Sequence, residues 1–292
     1  MTASEPSRRT RVILALLAVY LSWGSTYLVI RIALDELPPL FMMGIRFFLF
    51  GIGIYVYLRM RGAPNPSLRE WSWSAVIGTF LMLGGSAGVA YAEQWVASGL
   101  AALMIATTPL WIVLFAGIWK RWPNRFEWAG LLVGLVGIVV LNLEGDLRAS
   151  PLGAALLIIA AMSWAFGSAW SQHLKLPRGM MAGAAQMITG GAIVLFVSFA
   201  IGERITAIPT WRSLSAVLYL GIVGSLVGFT AYTYLLKQVR PALATSYAYV
   251  NPVIAVMLGI WFAGERIALP GMMAMLIILS GVVLVIAGQR RK

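Results

Sequence analysis

Apolar residues in this sequence come in ten runs, separated by short polar or basic segments. Each run approaches the ~20 residues that an α-helix needs to cross the ~30 Å hydrocarbon layer of a membrane. Alternating segments of ~10 residues, typical of membrane β-barrels, are absent from the sequence. The pattern therefore predicts an all-α integral membrane protein with ten transmembrane helices. The predicted spans are residues 12–34, 37–58, 73–92, 98–119, 126–143, 152–172, 180–202, 214–236, 242–262 and 269–288.

The ten spans form two sets of five, because the sequence repeats itself. A shift of 143 positions superimposes identical residues, among them Gly85 on Gly228, Tyr91 on Tyr234 and Pro109 on Pro252. With a shift of 141, Ser22-Trp23 falls on Ser163-Trp164. Since each repeat has an odd number of spans, its second copy enters the membrane from the opposite side, as in many transporters. We therefore predict two inverted five-helix repeats, at residues 12–143 and 152–288.

Composition agrees with a membrane protein. The chain of 292 residues is 60% hydrophobic and 11% charged, whereas soluble domains carry roughly 25% charged residues. The net charge of +12 is strongly one-sided. Sixteen Lys and Arg residues fall in the tails and loops of one side, and four fall on the other. The positive-inside rule then places both termini, residues 1–11 and 289–292, in the cytoplasm. Without a long basic block or a soluble module, a nucleic-acid partner is not expected.

Polar residues deep in a bilayer are costly unless they pair or line a wet cavity, so they are the first functional candidates. One group is the matched pair of segments Ser22–Thr26 and Ser163–Ser168. Glycines at 24 and 167 suggest helix bends, and the hydroxyls and indoles suggest ligand contacts. The alternative is that the hydroxyls bond the carbonyls of the preceding turn and the tryptophans fill space.

A second group is the pair Thr108-Pro109 and Asn251-Pro252, each near the middle of its span. A proline inside a helix removes one N–H and displaces the carbonyl four residues before it. Two matched helices loosened at mid-depth are typical of a transporter binding site. The alternative is a simple kink that serves packing.

A third candidate is Arg46, which is effectively always charged and has no carboxylate predicted at its depth in span 2. It pairs either with exposed carbonyls in a hydrated cavity or with a substrate carboxylate. Five tyrosines within or near the ends of the spans are equally compatible with packing and with cavity lining: Tyr91, Tyr232, Tyr234, Tyr247 and Tyr249. No catalytic motif, metal-ligand cluster or cysteine is present in the sequence, so neither an enzyme nor a cofactor is predicted.

The ordered motifs resemble the drug/metabolite transporter (DMT) superfamily, and specifically an EamA-type exporter, over nearly the whole chain. The residues that carry this resemblance are Trp23-Gly24-Ser25-Thr26-Tyr27, Ile30-Arg31, Pro38-Pro39-Leu40, Arg46-Phe47, Pro109, Ala244–Pro252 and Glu265. The resemblance implies a central cavity between the halves, lined by spans 1, 3, 4, 6, 8 and 9, and alternating access. Small four-span members of the superfamily couple to protons through a glutamate in their first span, which is missing here.

We therefore predict a multi-pass transporter of the bacterial inner membrane that acts as a monomer and exports small neutral or zwitterionic metabolites, with amino acids as first candidates. The alternatives are efflux of cationic drugs and, outside transport, a membrane scaffold or receptor. The predicted cavity residues are Ser22, Trp23, Thr26, Arg46, Tyr91, Thr108, Trp164, Ser168, Tyr234, Tyr247 and Asn251. The predicted helix breaks or gates are Gly24, Pro109, Gly167 and Pro252.

Overall fold

A computed structural model describes residues 7–96, 101, 104–120, 122–142, 151–206, 208–263 and 269–290. Within these residues the chain is helical and has no β-strand. The helices are α1 (Arg8–Leu34), α2 (Pro39–Met60), α3 (Leu68–Ala92), α4 (Thr108–Gly117), α5 (Arg125–Asn142), α6 (Pro151–Ser171), α7 (Met180–Ala200), α8 (Trp211–Gln238), α9 (Tyr247–Ala263) and α10 (Leu269–Arg290). The boundary between the predicted repeats lies outside the described residues, as do residues 1–6 and 291–292 of the predicted tails and Glu265.

Five of these helices, α2, α3, α6, α7 and α8, are each long and apolar enough to cross a membrane. Large apolar side chains such as Leu21, Phe196 and Leu276 are exposed on the outside of the molecule. An exposed apolar surface of this kind suits contact with lipid. The protein is therefore a multi-pass helical membrane protein. The inverted arrangement of the halves and the cytoplasmic position of the termini stay predictions.

The contacts between helices correspond in the two halves. Helix α1 packs on α8 and α9, and its counterpart α6 packs on α3 and α4. The closest pairs join equivalent helices: α2 packs along α7, and α5 packs along α10. Each half thus packs its first helix against the third and fourth helices of the other half, which gives an extensive contact between them.

The third helix of each half departs from regular α geometry. In α3 the segment Thr79–Ala87 is π-helical, and in α8 the segment Leu220–Phe229 is π-helical. A shift of 143 positions makes these two segments overlap. Such wide turns are rare and frequently occur at functional sites. The sequence pattern gave no indication of them.

Several helix boundaries differ from the predicted spans, and two of the differences have a clear local cause. Helix α3 begins at Leu68, before the predicted start at residue 73, because Ser67 and Glu70 form a capping box. Helix α9 begins at Tyr247, after the predicted start at residue 242, because Pro241 initiates a separate turn, Pro241–Ala244, that ends at Thr245-Ser246.

Candidate functional site

Four aromatic rings meet at the centre of the molecule, where the two halves touch. Trp23 of α1 lies 5.4 Å from Trp164 of α6, 5.1 Å from Tyr232 of α8 and 4.6 Å from Tyr247 of α9, measured between ring centroids. Tyr232 also lies 5.4 Å from Trp164 and 5.6 Å from Tyr247. Spacings of 4.5–7 Å are those of favourable aromatic pairs. We call Trp23, Trp164, Tyr232 and Tyr247 the aromatic layer.

Hydrogen bonds fix the rings of this layer. The indole N–H of Trp23 donates to the carbonyl of Gly224 at 3.0 Å, inside the π-helical segment of α8. The indole N–H of Trp164 donates to the Tyr232 hydroxyl at 3.1 Å, and that hydroxyl lies 2.6 Å from the Ser168 hydroxyl. Tyr232 and Ser168 are both fully buried. The two matched tryptophans are therefore held by different partners.

Each matched tryptophan packs on a matched glycine of the other half. A Cβ atom on Gly228 would lie 2.5 Å from Nε1 of Trp23, and a Cβ on Gly85 would lie 2.7 Å from Cε3 of Trp164. Both glycines belong to the π-helical segments. Distances this short leave no space for a side chain, so both indoles depend on glycine at these positions.

A cavity of about 100 Å³ lies beside the aromatic layer. Seven predicted site residues line it: Trp23, Thr26, Arg46, Thr108, Trp164, Tyr247 and Asn251. Its remaining wall comes from Ile30, Phe47, Gly85, Ser86, Val89, Ile105, Ala160, Ala161, Gly224 and Phe229. Both halves contribute, through helices α1, α2, α3, α6, α8 and α9 and the segment around α4.

The structure does not bring the other four predicted residues to the cavity wall. Ser22 is buried beside Gly228, and Ser168 is buried behind the aromatic layer against Tyr232. Tyr91 packs its ring on Trp95, with centroids 5.1 Å apart. Tyr234 lines a separate groove of about 650 Å³, together with residues such as Arg11 and Lys237.

The prolines occupy different positions in the two halves. Pro109 is the second residue of α4, which begins directly after a turn at Ala106-Thr107. It therefore lies at an interruption between helical segments and not in the middle of a helix. Pro252 lies inside α9, where it has no N–H to donate to the Ala248 carbonyl. The nearest break in the second half precedes α9.

The predicted glycine breaks are not seen in this conformation. Helices α1 and α6 run without interruption through Gly24 and Gly167. A Cβ on Gly24 would lie 2.8 Å from Ile254, and one on Gly167 would lie 2.7 Å from Phe80. These glycines therefore serve close helix packing, and a gating role for them stays a prediction.

Two polar side chains on the cavity wall have buried atoms without a hydrogen-bond partner. Arg46 is 5% exposed, and its Nε and Nη1 atoms have no acceptor; Asn251 is 1% exposed, and its Oδ1 atom has no donor. No acidic side chain is among the described residues that line the cavity. Unsatisfied buried groups are rare in proteins and require an explanation. In the described part of the chain, no group of three His, Cys, Asp or Glu side chains is placed to hold a metal ion.

The sequence pattern did not select Tyr232, a member of the aromatic layer, over Tyr234. The repeat directs attention to Tyr234, because Tyr234 matches Tyr91. Residues two apart on a helix point in directions roughly 200° apart, so only one of the two tyrosines can face the layer. The position that the repeat matches with Tyr232 is Val89, which is not aromatic, so the repeat held no signal for Tyr232.

Comparisons with known proteins agree with this architecture. The sequence pattern of the EamA-like transporter family matches residues 10–143 and 151–287. The chain is 44% identical over 276 residues to the uncharacterized inner membrane transporter YedA of Escherichia coli (strain K12), covering 94% of this chain and 90% of that protein. It is 25% identical to a probable amino-acid metabolite efflux pump of Salmonella typhimurium, over 94% of this chain and 92% of that protein.

One solved crystal structure has the same fold. It superposes with a TM-score of 0.80 and 22% sequence identity, covering 98% of this chain and 99% of the other. The family consists of membrane transporters rather than enzymes. Two matches to the family pattern, together spanning most of the chain, and the 44% identical relative confirm the resemblance seen in the sequence. The chain belongs to the EamA-like transporter family, within the drug/metabolite transporter superfamily.

Proposed function

We propose that this transporter exports small neutral or zwitterionic metabolites, with amino acids as first candidates, by alternating access around the central cavity. The observation that carries the proposal is the cavity itself. It lies where both halves meet, is lined by polar as well as aromatic side chains, and is bordered on one side by the aromatic layer. A carrier needs such a site because substrate must be held between two elements that can move apart.

The position of the aromatic layer supports a gating role. Tyr232 lies six residues before the end of α8, and Tyr247 is the first residue of α9; the basic residues Lys237 and Arg240 lie between them. Ile30 and Val89, on the cavity wall, lie near the C-terminal ends of α1 and α3. The sequence predicts these ends to lie on the side of the membrane opposite Lys237 and Arg240. The layer thus separates the cavity from the basic side, which the positive-inside rule assigns to the cytoplasm. Opening on that side would require the four rings to part.

The irregular helices supply places where motion can occur. The break before α4, the break before α9 and the two π-helical segments all adjoin the cavity. Conformational changes between packed elements use short irregular segments as hinges. We propose that Pro109, at the start of α4, and Pro252, inside α9, weaken helix hydrogen bonding close to these breaks, so that α4 and α9 can tilt.

The cavity favours small metabolites over cationic drugs. Its volume of about 100 Å³ is below the ~300–1,000 Å³ usual for drug-sized ligands. The one formal charge among its described lining residues is the cation Arg46. Such a site repels a cationic substrate. An amino-acid metabolite is also named for one related efflux pump at 25% identity, and small amino acids are therefore the first substrates to test.

Counterflow in proteoliposomes tests the proposal. Purified protein is reconstituted with unlabelled substrate inside, and uptake of labelled alanine, serine, threonine, lactate or tetraphenylphosphonium is followed without an imposed proton gradient. Accumulation of an amino acid is expected. Exchange of tetraphenylphosphonium alone would replace the proposal with cation efflux.

A single chain contains both halves of the cavity, and light scattering of the purified transporter is expected to give a monomer.

A further inference from the structure

Arg46 is a buried cation whose Nε and Nη1 atoms have no hydrogen-bond partner in the described part of the chain. It lies on α2 with 5% of its surface exposed, and its Nε and Nη1 atoms are buried without an acceptor. Its guanidinium carbon lies 4.5 Å from the centroid of the Phe47 ring. An aromatic face offsets part of a cation's desolvation, but it does not replace hydrogen-bond acceptors. A charge left in this state inside a membrane is expensive, and such residues usually have a functional partner.

The described cavity wall offers Arg46 no counter-ion. No Asp or Glu lines the cavity, and the one ion pair recorded among the described residues, Arg240 with Glu127 at 2.8 Å, is elsewhere. A Cβ on Gly224 would lie 3.9 Å from both Nη atoms of Arg46, so the guanidinium borders the π-helical segment of α8. The carbonyl of Gly224 already accepts the indole N–H of Trp23. The described cavity wall therefore leaves room for a ligand to supply the anion that Arg46 lacks.

Asn251 supplies an unpaired hydrogen-bond acceptor on the wall of the same cavity. It lies on α9, in the other half, is 1% exposed, and its Oδ1 atom is buried without a donor. A side-chain amide oxygen accepts up to two hydrogen bonds and suits an ammonium group. The cavity thus has an unpaired donor group on the first half and an unpaired acceptor on the second. This matches the two ends of a zwitterion.

We infer that Arg46 binds the carboxylate of the substrate and that Asn251 accepts a hydrogen bond from its ammonium group, so the transporter selects small α-amino acids over amines and cations. This inference rests on the proposed function and specifies its substrate class. A guanidinium binds a carboxylate through two parallel hydrogen bonds, which fixes orientation as well as charge. Because the two groups belong to different halves, a bound amino acid would also join them.

Three isosteric ligands separate the two contacts. Alanine has both charged groups, lactate keeps the carboxylate but replaces the ammonium by a hydroxyl, and alaninamide keeps the ammonium but lacks the carboxylate. In wild-type counterflow of labelled alanine, unlabelled alanine should compete strongly and alaninamide about 10- to 100-fold more weakly, as expected for loss of a hydrogen bond to a charged group. This comparison needs no variant, so it holds even if a substitution impairs folding.

Variants then assign each contact to its residue. Arg46→Gln should lower the kcat/KM of alanine exchange about 10- to 100-fold, and Arg46→Lys should retain part of the activity because the charge remains. Asn251→Ala should weaken alanine about tenfold and lactate less, because the neutral hydroxyl of lactate donates a weaker hydrogen bond than an ammonium group. Gln186→Ala is the matched control: Gln186 is 2% exposed with an unpartnered Oε1 atom, but it does not line this cavity. It should leave the preference for alanine over alaninamide unchanged.

The outcomes distinguish this inference from the proposed function. Equal competition by alaninamide, or full alanine exchange by a folded Arg46→Gln protein, would overturn the inference and leave amino-acid export standing. Exchange of lactate but not of any amino acid would overturn amino-acid export and the role of Asn251. The Arg46 contact would then be decided by whether Arg46→Gln loses lactate exchange. Exchange of tetraphenylphosphonium alone would refute both.

Discussion

The two halves of this transporter share the geometry of their tryptophans but not the charges near them. Trp23 packs on Gly228 of the second half, and Trp164 packs on Gly85 of the first, with nearly equal distances. Arg46 has no such counterpart. The region of α7 that the repeat aligns with it holds Met187, Ile188 and Thr189. The repeat therefore includes the two tryptophan–glycine contacts and does not include the charge of Arg46.

This difference suggests that movement and substrate recognition depend on different residues. Movement that exposes the cavity to each side in turn must act similarly on both halves, so elements with a mechanical role are expected in both. A small substrate with unlike ends has no such symmetry, and recognition of it needs unlike groups. The paired indoles and glycines fit the first requirement, and Arg46 with Asn251 fits the second.

The largest effect is expected where the equivalent helices α2 and α7 cross. A Cβ on Gly191 would lie 2.5 Å from the backbone nitrogen of Phe48, and no side-chain movement relieves that contact. Gly191→Ala should therefore push the helices apart and destabilise the fold by about 1–3 kcal/mol, seen as a lower unfolding temperature of the detergent-purified protein. Gly183→Ala is the control on the same helix, because a Cβ on Gly183 would lie 3.6 Å from its nearest neighbour, the hydroxyl oxygen of Thr233. Equal unfolding temperatures for the two variants would contradict this packing.

A smaller effect should separate the two matched glycines under the tryptophans. Gly228→Ala displaces the Trp23 indole and breaks its hydrogen bond to the Gly224 carbonyl, whereas Gly85→Ala contacts the carbon edge of Trp164. A hydrogen bond contributes ~0.5–1.5 kcal/mol, so Gly228→Ala should reduce alanine counterflow roughly 2- to 10-fold more than Gly85→Ala. If both variants lose the same activity, the indole hydrogen bond plays no part in exchange.

The hydroxyl of Tyr232 offers a weaker test of the same layer. Tyr232→Phe removes the partner shared by Trp164 and Ser168. Tyr249→Phe removes another buried hydroxyl, which donates to the Leu131 carbonyl at 3.1 Å outside the layer. Each loss should cost about 1 kcal/mol of stability, but only Tyr232→Phe should accelerate alanine counterflow, because it loosens the closed arrangement of rings. Identical exchange rates in the two variants would argue against a gate at this position.

Much of this arrangement could be predicted from the sequence, and the parts that could not have physical reasons. Apolar run length indicated the helices, and the repeat identified Trp23 with Trp164 as a pair, because both signals depend on residue type and spacing alone. The face of the helix on which a residue lies was harder to predict: the repeat favoured Tyr234, which lines the second groove, over Tyr232, which belongs to the aromatic layer. The π-helical turns in α3 and α8 were not predicted either, because the length and composition of an apolar run do not distinguish wide helical turns from regular ones.

The smallest expected effect concerns a contact between the halves outside the spans. Glu36, in the loop after α1, accepts hydrogen bonds from the backbone N–H of Thr210 at 2.7 Å and from the Thr210 hydroxyl at 2.9 Å. The backbone hydrogen bond from Thr210, followed by those from the Ser213 and Thr210 side chains, lowers the pKa of the Glu36 carboxyl below its usual value. A carboxyl with a lowered pKa stabilises the fold above its ordinary pKa, and this contribution is lost as the pH falls through the lowered value.

Glu36→Gln should therefore lower the unfolding temperature slightly at pH 7, and the difference from wild type should disappear as the pH approaches the carboxyl's lowered pKa. The measurement is thermal unfolding of the purified protein across an acidic pH series. Asp35→Asn is the neighbouring control, because it removes the same charge in an exposed position and leaves the hydrogen bonds of Thr210 intact. If Asp35→Asn reproduces the pH-dependent loss, the effect comes from charge on this loop. If only Glu36→Gln shows it, the contact of Glu36 with Thr210 joins the first half of the transporter to the second.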